Sequence, residues 1–146
     1  MVKSFKNALF GKESVRLINQ SKVIQRVSTK TSDVAGYKWS ADTTFIIYVE
    51  GIHLNSNYWE NPHEFNPDRF MGVEPQKNTF LMFGGGMRAC PGKKFALTEV
   101  KCLITLMFRS LNVSLVDVNA PVKLKKNFMT TCAELKVKVK QREVQV

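Results

Sequence analysis

Between Phe83 and Gly92 the chain reads Phe-Gly-Gly-Gly-Met-Arg-Ala-Cys-Pro-Gly, and no other stretch restricts the fold as strongly. Three consecutive glycines and a Pro-Gly pair argue against a regular element here and for an ordered loop. The loop runs into Lys93–Ser110, where Phe95, Leu97, Val100, Leu103, Ile104, Met107 and Phe108 recur at helical spacing. A glycine-rich loop followed by a long helix is therefore fixed by the sequence, and it carries one cysteine, Cys90. The thiolate is the form of cysteine that binds metals; cations, helix N-termini and backbone N–H groups all favour it. Cys90 stands just before the helix. Glycine at 86 and 92 allows close approach of a flat ligand, Arg88 offers a planar cationic fork, and Phe83 offers an aromatic wall.

The rest of the chain mixes both periodicities. Lys3–Leu17 predicts a short helix with Phe5, Leu9, Val15 and Leu17 as its apolar residues, weakened by Gly11. Val23–Val27 and Phe45–Val49 are rich in β-branched residues and predict strands, with turns at Gly36 and Ser40–Asp42. Asn55–Asn78, with three prolines and Gly72 among Asn and Glu, predicts an irregular ordered segment. After Pro121, Leu135, Val137 and Val139 alternate with Lys136, Lys138 and Lys140 as in a two-faced strand. The fold class expected is α+β.

A chain of 146 residues can bury a core as one domain. Its 22 Lys and Arg against 12 Asp and Glu give a net charge of +10, compatible with an acidic protein, a membrane surface or nucleic acid. No nucleic-acid motif or stacking-aromatic pattern accompanies the charge, so no nucleic-acid partner is expected. Cys90, Cys102 and Cys132 fit neither a zinc knuckle nor a disulfide framework, and the odd count points to a reducing compartment. No stretch approaches the roughly twenty apolar residues of a membrane span, so the chain is expected to carry no signal or anchor.

Phe83, Gly86, Arg88, Cys90 and Gly92 together match F-x-x-G-x-R-x-C-x-G, which resembles the haem-binding loop of the cytochrome P-450 family. Upstream, Glu13-Ser14-Val15-Arg16 is similar to the family's E-x-x-R helix. Arg26 stands where the family places a propionate-binding arginine. Tyr58–Pro62 resembles its W-x-x-P pattern, and Phe65–Phe70 its F-x-P-x-R-F loop. The resemblance spans about Lys12 to Lys140. It implies the C-terminal, proximal portion of that fold: E-x-x-R helix, small β-sheet, meander loop, Cys loop, long helix and C-terminal strands. Residues 1–146 are then one partial domain lacking the N-terminal half and the oxygen-activating helix, so no catalytic residue is expected in this chain.

The resemblance further implies haem b (iron protoporphyrin IX) as cofactor, with Cys90 as axial iron ligand and Phe83, Gly86, Arg88, Gly92 and Arg26 around it. It implies a Glu13, Arg16 and Arg69 network holding the cysteine loop. Lys93, Lys94 and Lys101 would meet an acidic reductase or a ferredoxin-type donor. Relatives of this family often sit on the endoplasmic reticulum membrane facing the cytosol. The expected function is that of a haem-thiolate monooxygenase fragment, in which O2 is reduced as an organic substrate is oxidised. The alternative is a non-catalytic remnant acting as a haem-binding or interaction module.

The sequence departs from the family in places. Asn19 and Gln20 replace its prolines, which predicts a looser turn, and His53-Leu54-Asn55 replaces H-R-D. Ala41-Asp42-Thr43-Thr44 imitates the tail of the distal A-G-x-D-T-T motif but leads straight into a strand. His53 and His63 are read as loop histidines without a catalytic role.

Overall fold

The computed structural model describes residues 2–127 and 129–142. The chain divides into two compact units, Met1–Gly84 and Gly85–Val146, and each combines helix with antiparallel strand pairs. The α+β class is met.

In the first unit α1 spans Val2–Leu17. Leu9 is buried and Val15 and Leu17 are half-buried; the Phe5 side chain lies outside the described residues. Gly11 is accommodated inside the helix. The strand β1, Val23–Val27, pairs antiparallel with β4, Thr44–Tyr48. β4 stops one residue before the sequence suggests, because Val49 opens a short helix, α2, Val49–His53. The Val49 amide donates to the Lys22 carbonyl at 2.8 Å, which ties α2 to the start of β1.

The turn expected at Gly36 is present, and it closes a hairpin of two short strands that the sequence does not predict. β2, Ser32–Val34, pairs with β3, Tyr37–Trp39, across Ala35 (φ 53°) and Gly36 (φ 80°). Two successive positive φ angles make the tight turn that suits twisted strands. Ala41–Thr44 is a turn and a strand start, with Asp42 at φ 63° donating its amide to Ser28.

Asn55–Asn78 is irregular apart from a 3₁₀ turn at Pro67–Phe70. Asn66 caps that turn by accepting from the Asp68 amide at 3.1 Å, and Pro67 occupies the position where a missing N–H costs nothing. Leu9, Trp59 and Phe70 form the core, with Phe80 packed against them. The Phe70 and Phe80 ring centroids are 5.1 Å apart and those of Trp59 and Phe70 5.7 Å, within the range of tilted aromatic pairs.

The second unit opens with a 3₁₀ turn at Gly86–Arg88 and continues into α3, Lys93–Ser110. Two ribbons follow: β5, Leu111–Leu115, pairs with β8, Val137–Gln141, and β6, Lys123–Lys126, with β7, Thr130–Glu134. The alternation at 135–140 locates β8; Leu111, Val113 and Leu115 alternate as clearly in β5 but follow the helix directly and are not predicted as a strand, and β6 and β7 show no apolar alternation. No apolar residue described in this unit is buried. Leu103 and Leu106 of α3 are 61% and 62% exposed.

Candidate functional site

Two polar residues of α1 point into the first unit rather than to solvent. Glu13 and Arg16, one turn apart, are both fully buried. Arg16 grips the Glu13 carboxylate with two parallel bonds of 2.8 Å, from Nε and Nη2. Its remaining N–H groups donate to the carbonyls of His53 (2.9 Å), Pro62 (2.6 Å) and Glu64 (3.1 Å). All five guanidinium donors thus have acceptors, the condition under which a buried cation is tolerable. The Arg16 guanidinium also lies 5.3 Å from the Trp59 ring centroid.

Arg69, from the 3₁₀ turn, adds a bond from Nε to Glu13 Oε1 at 3.0 Å and donates from Nη1 to the Glu60 carbonyl at 2.8 Å. The Asn66 amide donates to the same Glu13 oxygen at 3.0 Å. The structure therefore brings Glu13, Arg16 and Arg69 together. Burial pushes the Glu13 carboxyl up, but hydrogen bonds from Arg16, the Asn66 amide and Arg69, with the charge of Arg16, outweigh it. The carboxyl is held below its ordinary value.

His53 belongs to the same cluster, contrary to its reading as a loop residue. It is the last residue of α2 and is fully buried. Nε2 accepts the Leu81 amide at 2.8 Å, Nδ1 lies 3.3 Å from the Asn19 side-chain amide, and the ring stacks on Phe80 at 5.4 Å. Burial, then the nearby Arg16 charge, lowers its pKa to about 4. Asn19 is buried as well, and its Oδ1 accepts the Ser21 amide at 3.2 Å. The turn at Asn19 is thus pinned by side-chain bonds and not loosened by the lack of proline. The signal available in the sequence was a His directly after Ile52 in a short stretch that also holds Glu50, too weak to separate a core histidine from an exposed one.

The cysteine loop crosses from one unit to the other, with Phe83 and Gly84 in the first and the remainder in the second. Gly84 and Gly86 have φ of 74° and 65°, so both need glycine for backbone conformation. Space around Gly86 is open. Arg88 ends the 3₁₀ turn closed by the Ala89 amide on the Gly86 carbonyl, 3.1 Å, and its side chain is exposed. Cys90 is exposed and free, as are Cys102 and Cys132. Its sulfur would lie 3.7 Å from a Cβ at Gly92, which caps α3 without a side-chain bond. Lys93, Lys94 and Lys101 are all exposed on α3. Arg26 sits on β1, half-buried, opposite Phe45.

The family model described as Cytochrome P450 matches residues 10–140. The chain belongs to the cytochrome P450 family. Cytochrome P450 93G1 of Oryza sativa subsp. japonica is 34% identical over 114 residues, covering 73% of this chain and 22% of that protein. Beta-amyrin 11-oxidase of Glycyrrhiza uralensis is 30% identical over 105 residues, covering 72% of this chain and 21% of that protein. The chain thus spans about a fifth of the length of these curated relatives. The solved zebra fish cytochrome P450 with progesterone superposes with a TM-score of 0.81 at 21% identity, covering 94% of this chain and 31% of that one. The cytochrome P450DA heme domain gives a TM-score of 0.77 at 24% identity over 90% of this chain and 30% of that one. These likenesses establish the fold as part of a P450 fold.

P450 proteins are haem-thiolate monooxygenases, so haem is the group the family implies for this loop. Among the described residues no cluster of three or more His, Cys, Asp or Glu could hold a bare metal ion. A lone exposed thiol suits an iron that already has four porphyrin nitrogens, not a naked cation that needs several protein ligands. The exposed sulfur, the open backbone at Gly86 and the exposed Arg88 two residues away fit one face of a haem. Among the described residues no helix is long and apolar enough to cross a membrane.

Proposed function

We propose that this chain is the haem-binding, proximal portion of a P450 monooxygenase, residues 1–146 being one partial domain. The observation that carries the proposal is Cys90: a free, exposed thiol between a glycine turn and a long helix, in a chain of this family. Cys90 would hold the iron of haem b through its thiolate. Arg88, and Arg26 from β1, would neutralise the propionates through charge-assisted bonds. Gly86 and Gly92 would keep side chains off the macrocycle, and Phe83 would wall the sulfur from water. Bound haem would supply the activation of O2 for oxidation of an organic substrate, with the Cys90 thiolate tuning the iron. Lys93, Lys94 and Lys101 would present positive charge to an acidic reductase or a ferredoxin-type donor. Glu13, Arg16 and Arg69 act at no reacting atom; their role is to hold the irregular segment before the loop.

A second reading is supported by one observation. All 18 residues of α3 escape full burial, and its Leu103 and Leu106 are mostly exposed. A haem on Cys90 would have no distal cover from the described residues, which favours a non-catalytic haem-binding or interaction module when the chain stands alone. Haemin titration, reduction and addition of carbon monoxide decide between these. A thiolate–carbonyl Soret band lost in Cys90→Ser supports the haem-thiolate site. Turnover with a reductase supports the monooxygenase, and a band without turnover supports the module. No haem uptake would overturn both forms of the haem reading.

A further inference from the structure

The ring of His53 faces the chain that leads into the cysteine loop, and nothing in the haem reading uses it. Two of the bonds made by His53 run in different directions. The His53 carbonyl accepts from Arg16 Nη1 at 2.9 Å, and its ring Nε2 accepts the Leu81 amide at 2.8 Å. The Leu81 carbonyl in turn accepts the Gly84 amide at 3.1 Å, closing the turn that contains Phe83. Leu81 is thus held at both ends, by the histidine ring and by its own turn. Phe80 packs on the same ring, with centroids 5.4 Å apart, and on Phe70 at 5.1 Å. One residue therefore joins the Glu13–Arg16–Arg69 cluster to the last turn before the glycines.

We propose that His53 is a positioning residue that latches the Leu81–Gly84 turn, and with it Phe83, to the Arg16 cluster through its Nε2 acceptor. The histidine touches no reacting atom. Its consequence for haem rests on the proposed function, but the latch itself belongs to the chain without haem. The Leu81 amide is the atom to observe, since it loses its acceptor when Nε2 is removed. A Gln side-chain oxygen extends about as far as Nε2, whereas that of Asn reaches only as far as Nδ1. His53→Gln and His53→Asn both abolish the stack on Phe80, so they are alike in packing and differ in the latch.

Amide hydrogen exchange on the full chain, without haem, tests this. In His53→Asn the Leu81 and Gly84 amides should exchange on the order of ten- to a hundred-fold faster, the range for a buried amide that loses its partner. His53→Gln should restore Leu81 to within a few-fold of the original chain. Equal acceleration at Leu81 in the two variants would overturn the latch. So would loss of protection spread evenly over α1 and Leu81 in both, which would make His53 a core residue only. A parallel haemin titration keeps the two ideas apart. If the unmodified chain takes up no haem, the proposed function fails while Leu81 exchange still judges the latch. If it does, His53→Asn should weaken uptake more than His53→Gln.

Discussion

Acid should loosen the Met1–Gly84 unit through His53 before it reaches the carboxylate network beside it. In the folded chain His53 is held neutral down to about pH 4, against an ordinary value of 6.5. Once unfolded, it takes up a proton as the pH falls below 6.5. The unfolded state then binds more protons than the folded one, and stability drops as pH falls. Above pH 7 the contribution is complete. From the two values, and at about 1.4 kcal/mol per unit, the loss is about 1 kcal/mol by pH 6 and about 2 kcal/mol by pH 5, levelling off near 3 kcal/mol below pH 4.

Glu13 acts in a different window. Its folded value is depressed, so its contribution is present above its ordinary value of 4.5 and disappears as pH falls through the lower folded value. Urea unfolding at pH 7, 6 and 5, followed by fluorescence of buried Trp59, should show the midpoint falling with the slope unchanged. His53→Gln, which cannot titrate, should start less stable and stay nearly flat over the same interval. Equal losses in the two proteins between pH 7 and 5 would refute the reasoning, since the proton would then be taken up elsewhere.

Three further outcomes follow from the geometry. Glu13→Gln leaves the buried Arg16 and the half-buried Arg69 without their shared anion and should cost about 3–5 kcal/mol in chemical unfolding, as when one partner of a buried pair is removed. Leu9→Ala should cost about 2–5 kcal/mol, whereas Leu103→Ala, at a position 61% exposed, should stay within about 0.5 kcal/mol; thermal scans of the isolated chain compare them. Cys90→Ser should leave the unfolding midpoint of the chain unchanged within about 0.5 kcal/mol because the thiol is exposed, while removing any thiolate signature from a haemin-loaded sample.

What could be read in the sequence divides along physical lines. α3 was legible to the residue, since a glycine stop and an apolar repeat mark it from both sides. β1 and β4 were legible because β-branched residues cluster there. The turn at Gly36 was legible from its glycine, but the strands it joins were missed because β2 and β3 are three residues each and bury no face. β6 and β7 lack alternation because, apart from buried Thr130, their residues are exposed or half-buried, so no buried face selects a pattern.

The Glu13, Arg16 and Arg69 cluster was assembled from spacing and family likeness, since charged residues on a short helix ordinarily read as solvent-facing. His53 was invisible for a related reason. A buried histidine differs from an exposed one only in what surrounds it, and its partners Asn19, Arg16 and Leu81 are 34, 37 and 28 residues away. A ring that accepts a backbone amide must keep that nitrogen unprotonated, so the same bond that fixes the Leu81 turn also excludes the proton. Positioning and acid sensitivity are in this way one property. A variant that retains the Leu81 bond without an ionisable ring should keep the turn in place and lose the pH dependence, which makes His53→Gln the substitution that separates geometry from charge.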